Sequence, residues 1–246
     1  MKRIQLAILA TAAGFMLAGA FSCGNNNNNG GSNCIKGSGT SASQKRTPGT
    51  FTKVNLQGDY NVVLKQDSSY GVTITADTNL FQYIKTTVTN GTLVISNQQS
   101  ICSTSTININ IGVGNLAAVI ASGKEVITAD SAINAQSFAF QLSGADNVTM
   151  TLNATSLTST ISGKGTINLT GKAASHDITV SGTGTLKAYN FVVGAYTTHT
   201  SGVGNFQVNA VNTLDVHTSG TSDVKYMGDP KITNQHSGIS IVQKAK

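Results

Sequence analysis

The chain has 246 residues, enough to bury a sizeable core, and its 16 Lys and Arg against 10 Asp and Glu give a formal charge of +6. Charged residues make up only 11%, Trp is absent and Gly numbers 26, a balance that suits β-rich exported repeats better than a cytosolic enzyme. The positive charge is dilute and has no interleaved aromatics, so no nucleic-acid partner is expected.

Residues 1–22 read as a signal peptide of the lipoprotein type. Met1-Lys2-Arg3 is a short basic start, and residues 4–21 are apolar or small apart from Gln5. The stretch Leu17-Ala18-Gly19-Ala20-Phe21-Ser22-Cys23 resembles a bacterial lipoprotein signal, with Cys23 as the lipidated first residue. Ordinary signal-peptidase cleavage nearby is the alternative. A lipidated Cys23 would anchor the mature chain to a membrane without spanning it. Gly24, where an acidic residue would signal inner-membrane retention, leans by the same resemblance towards the outer membrane, facing either the cell surface or the periplasm. Loss of Lys2 and Arg3 leaves 14 basic residues against 10 acidic ones, a mature charge of +4.

Residues 23–47 read as a flexible tether. Five consecutive asparagines at 25–29 run into Gly30-Gly31-Ser32 and further Gly, Ser and Thr, a composition with nothing to bury. With Cys23 acylated, Cys34 and Cys102 remain. An exported compartment permits a disulfide between them, and two unpaired thiols are the alternative.

Residues 48–246 read as a β-helix domain, with irregular initial coils over 48–115 and regular ones over 116–246. Val62 and Leu64 follow Gln57 by five and seven places, the register of the later repeats. Val72-Thr73-Ile74-Thr75 and Leu93-Val94-Ile95 read as strands, the second behind an Asn90-Gly91 hairpin turn. Residues 107–111 alternate Ile and Asn.

From residue 121 onwards the pair Ser-Gly recurs, with serines at 122, 143, 162, 181, 201, 219 and 237. Their spacing of 18 to 21 residues is the period of a solenoid coil. Five places after each Ser stand Ile127, Val148, Ile167, Leu186, Phe206, Val224 and Val242, all apolar, and six places after stand Thr128, Thr149, Asn168, Lys187, Gln207, Lys225 and Gln243, all polar. In-out alternation on both sides of the turn, with Thr, Val, Ile and Asn dominant, predicts strand, Ser-Gly turn, strand and a longer return. The glycine is expected for its tolerance of positive φ in a sharp turn. The fold class is therefore all-β, a parallel β-helix-like solenoid with coils of 18–21 residues.

The pattern of residues 51–64, then 72–77, then 91–96, followed by Ser-Gly coils, resembles the bacterial auto-transporter adhesin family with the GIN head domain. The nearest element to the family's Gly-Ile-Asn is Gly165-Thr166-Ile167-Asn168, with a Thr inserted. The resemblance covers about residues 48 to 240 and implies a right-handed β-helix in an exported, often lipid-anchored protein. It brings adhesion as a functional label and no functional residues.

Catalytic chemistry finds little support in the sequence. Glu125 and Asp146 each lie three places after their Ser, on adjacent coils, and would stack about 5 Å apart, the carboxyl separation of retaining glycosidases. Two solvated turn residues are the expectation, since a convex turn supplies no cleft. His199 and His217, both two places before their Ser, are expected to project outward from neighbouring coils and are weak candidates for a Zn²⁺ or Cu²⁺ site; no metal site and no cofactor is expected. His176 and His236 fall at inward positions, the first as a hydrogen-bonded core residue, the second as a cap on the last coil.

The sequence thus points to a non-enzymatic cell-envelope protein, an adhesin or ligand-binding scaffold with repetitive polar faces. Its expected partners are a membrane through the lipid anchor and a glycan or protein ligand, and a homo-oligomer is open. A structural or assembly role without an external ligand is the alternative, and a polysaccharide-active enzyme a more distant one.

Overall fold

The computed structural model describes residues 33–102 and 105–245. The residues read as a signal peptide, Cys23 and the Asn-rich part of the segment read as a tether lie outside the described residues. The domain from Asn33 onwards is almost wholly strand, coiled into a parallel β-solenoid, with a single 3-10 turn at Thr78–Leu80 among the described residues.

Stacking follows the Ser-Gly register. Val62, Ile127, Val148, Ile167, Leu186, Phe206, Val224 and Val242 sit side by side on successive parallel strands. All but Val242, on the last coil, are buried. Every second side chain of each strand thus enters one continuous core, and the chain gains burial only by stacking coil on coil. In the central coils the return is itself strand: Ala145–Ile161, Lys164–Val180, Thr183–Thr200 and Val203–Thr218 run almost from one Ser-Gly pair to the next. Register shifts between Ala188 and Val192 and between Val193 and Ala195 absorb the unequal lengths of neighbouring coils.

The turn glycines are needed for a different reason from the one read in the sequence. None of the Ser-Gly glycines has positive φ. A Cβ on Gly163 would instead collide with the carbonyl oxygens of Gly144 and Ser143 in the coil before, and the same clash recurs from Gly123 to Gly238. The glycines let the turns of adjacent coils approach closely. The Asn90-Gly91 hairpin does use positive φ, at 50° and 70°, and joins antiparallel Ile84–Thr89 and Thr92–Asn97.

The N-terminal end is closed by antiparallel pairing. Lys53–Gln57 and Tyr60–Gln66 pair in parallel with Ala118–Ala121 and Val126–Ala129 on one side, and with Thr92–Asn97 and Ile107–Val113 on the other. Val72–Asp77 lies antiparallel between Ile107–Val113 and Ser41–Arg46. That last pairing corrects the boundary of the tether, which composition had extended to residue 47. Ile35–Lys36 and Ser41–Arg46 are strands of the domain. Arg46 holds the segment down by donating to the carbonyls of Phe81 and Ile84 at 3.0 and 2.6 Å and to Thr86 Oγ1 at 2.8 Å. Cys34 and Cys102 form a disulfide with Cα atoms 5.5 Å apart, beside the parallel pairs Ile35–Ile101 and Lys36–Cys102.

At the other end, Lys231–His236 and Ile239–Lys244 each pair on one side only. Ile232 and His236 hold inward register positions but are exposed, because no further coil covers them. His236 thus keeps the inward register position read in the sequence, in the last coil, but its side chain is exposed and its Nδ1 lies 3.2 Å from Gly238 O.

Candidate functional site

The outward rows are polar and partly bonded to themselves. Asn168 Nδ2 donates to Thr149 Oγ1 at 3.1 Å, Thr151 and Thr170 hydroxyls meet at 2.8 Å, and Asn153 Nδ2 donates to Asn134 Oδ1 at 3.0 Å. Strand alternation puts these groups outside, and parallel stacking repeats them every 4.8 Å or so. The result is a set of hydrogen-bonding ladders with modest relief.

His199 and His217 pair in register on this surface, their rings stacked with centroids 4.9 Å apart and planes 12° from parallel. They share a shallow surface with Thr179 and Gln235. Among the described residues no cluster of three or more His, Cys, Asp or Glu side chains is placed to hold a metal ion.

Glu125 and Asp146 do come together, and the expectation of solvated turn residues is wrong. Both are buried. Three places after the Ser is an inward position, so the two carboxyls point under the turns. Glu125 accepts from the N–H groups of Gly58 and Gly123 at 3.0 to 3.2 Å, and Asp146 accepts from Gly144 N at 3.2 Å and Glu125 N at 3.4 Å. Burial, then a hydrogen bond with Asp146, push the Glu125 carboxyl up to about 8. The pair caps turn amides, and neither side chain is exposed to solvent. His176 is also a core residue: its Nε2 lies 2.9 Å from Ser159 Oγ, and burial pushes its pKa down to about 3.

A cleft that the sequence did not reveal lies at the N-terminal end. It encloses about 690 Å³, within the size range of small-molecule sites. Its floor is the outward row Asn61, Val126 and Asn147, three neighbours in register on adjacent strands. Asp59 and Lys124 border it at the turns, and residues 97–101 form a wall. That wall is held at several points. Tyr60 donates its phenolic hydrogen to Asn97 Oδ1 at 2.6 Å, Gln98 N donates to Tyr83 O at 2.8 Å, and Ile35 N donates to Ser100 O at 2.8 Å, next to the disulfide. Burial pushes the Tyr60 phenol well above its usual range, which keeps it a donor.

Fold and surface together define a β-solenoid with self-paired polar ladders and a walled polar cleft. The chain belongs to the family described as putative auto-transporter adhesin, head GIN domain, which matches residues 50–230. Similar solved structures include a putative adhesin from Bacteroides fragilis, 21% identical, with a TM-score of 0.80 over 86% of this chain and 100% of that one. A putative adhesin from Parabacteroides merdae is 24% identical with a TM-score of 0.65, over 86% and 99% of the two chains. A protein from Parabacteroides distasonis described as a putative lipid binding protein is 20% identical with a TM-score of 0.66, over the same shares. At these identities the likeness establishes the fold. No curated protein matches the chain.

Proposed function

We propose that the chain is a non-enzymatic cell-envelope protein that binds an external partner, as an adhesin or ligand-binding scaffold. The observation that carries this reading is membership of the adhesin family over residues 50–230, joined to outward faces built from polar ladders. On this reading residues 1–22 direct export, Cys23 carries the lipid anchor in the outer membrane, and the partner is a glycan or a protein. The stacked acids Glu125 and Asp146 are both buried, with their carboxyls occupied by turn N–H groups, which favours binding over polysaccharide cleavage. The single-sided strands of the last coil leave room for self-association.

The test is attachment. A strain lacking the gene is compared with its parent for retention on glycan- and protein-coated surfaces, with the purified chain added as competitor. The proposal expects lower retention by the mutant and inhibition of the parent by the chain. Equal retention of both strains, with no inhibition, contradicts it and favours a structural or assembly role in the envelope.

A further inference from the structure

We infer that the N-terminal cleft is a saccharide site, specific for a short neutral glycan. The inference rests on the binding reading above and gives its partner a chemical class and a place.

The argument starts from the floor. Val126 is 42% exposed, far more than a residue at the centre of a sheet face needs to be. Asn61 and Asn147 flank it, one strand to either side. Adjacent strands are about 4.8 Å apart, so the floor is an apolar spot between two amides roughly 10 Å from each other. A pyranose offers the matching surface: a C–H face for the valine, and hydroxyls at its rim that donate to and accept from amides. Gln98 and Gln99 on the wall add further two-way groups. Among the described lining residues, Asp59 and Lys124 supply a single charge of each sign, so this lining carries no net charge for an ionic ligand.

Other ligand classes fit less well. An anion would need uncompensated cations or a cluster of free amides, and Lys124 is the lone Lys or Arg among the described residues lining the cleft. A lipid chain would need an apolar tunnel, while most of this lining is amide, hydroxyl or charged. An extended peptide would need an open strand edge, yet the three floor strands, Tyr60–Gln66, Val126–Ala129 and Ala145–Ile161, are paired on each side.

Rigidity strengthens the case. The wall is tied by the disulfide, by the Tyr60 hydroxyl and by backbone bonds to Ile35 and Tyr83, so little ordering remains for a ligand to impose. The ladder faces have hollows too, about 510 Å³ around Asn168 and Lys187 and about 700 Å³ beside Asn134 and Asn153, but many of their groups already bond one another.

The experiment screens the purified chain against an array of neutral and acidic oligosaccharides, and against vesicles of phosphatidylethanolamine and phosphatidylglycerol. Hits are quantified by calorimetry. Variants are Asn61→Ala with Asn147→Ala in the cleft, and Lys187→Ala with Gln207→Ala on a ladder face; all four residues are solvent-accessible, and thermal unfolding verifies that each variant folds. The expected result is retention of a neutral saccharide, weakened at least tenfold by the cleft pair and less than twofold by the ladder pair. Binding to acidic glycans only, to vesicles only, or to no probe overturns the inference, as does a neutral saccharide whose affinity the cleft pair leaves unchanged. These results are separable from failure of the broader reading: a chain that binds no saccharide but still inhibits cell attachment loses the cleft and keeps its adhesive role. Equal attachment by the gene-deleted strain removes that role whatever the array shows.

Discussion

Replacing Glu125 by glutamine tests the physics of the buried carboxyl pair. In the folded chain the Glu125 carboxyl keeps its proton up to about 8, whereas an unfolded glutamate releases it near 4.5. Between these values the folded state holds a proton that the unfolded chain does not. Stability therefore falls as pH rises from 4.5 through 8. At about 1.4 kcal/mol per unit the full difference sets an upper limit of about 5 kcal/mol. Relaxation of the turns around an ionised pair reduces this, and a loss of about 2 kcal/mol is expected, or roughly 4–8 °C in Tm for a domain of this size. Glutamine has no proton to lose. It keeps an acceptor for the Gly58 and Gly123 N–H groups and offers an amide donor to Asp146. Thermal unfolding of parent and variant at pH 5, 7 and 9 gives the difference between them, in which titrating groups remote from the Glu125–Asp146 pair cancel. The two should match near pH 5, and the variant should be the more stable at pH 9. A difference that does not change with pH would refute the reasoning.

Three further outcomes follow from the core and the turns. Gly163→Ala should cost about 2–4 kcal/mol in denaturant unfolding, because its Cβ meets the carbonyls of the preceding coil. Gly71→Ala, whose Cβ would meet only Ser69 Oγ at 3.6 Å, should stay within about 0.5 kcal/mol of the parent, and equal costs at the two sites would contradict the close-approach account. His176 is held neutral down to about 3, so the unfolded chain takes up a proton below 6.5 that the folded chain refuses, and stability is lost as pH falls through that window. His176→Leu with Ser159→Ala should remove about 2 kcal/mol of the loss between pH 7 and 4, and an unchanged loss would show that His176 is not its source. Tyr196 is buried, and its hydroxyl has no hydrogen-bond partner among the described residues. Tyr196→Phe should leave stability equal or raise it by up to about 1 kcal/mol, and a clear destabilisation would reveal a partner for that hydroxyl.

Much of the fold was legible because parallel stacking makes every coil repeat the same instruction. The apolar series from Ile127 to Val242 and the polar series one place on alternate for a single reason, and Val62 and Leu64 obey it before the first Ser-Gly pair. The buried acids were also within reach of that rule. If five and seven places after the Ser face inward, so does three; reading Glu125 and Asp146 as turn residues overlooked the parity. Arg46 and the strand at Ser41–Arg46 were hidden by composition, since Ser, Gln and Lys on an edge strand look like tether. The cleft could not be read at all. It joins residues 58–61, 97–101 and 105–107 with Lys124, Val126 and Asn147, and they meet only because the initial hairpins fold back beside the first regular coils. The surface amides in it differ in no local way from those on the ladders.

The most direct test of the account is protease shaving of intact cells, followed with an antibody to the domain beyond residue 33. An adhesive chain held on the outer face should lose the domain while periplasmic markers survive. Survival of the domain until the outer membrane is opened would contradict the adhesive role and turn attention to envelope partners.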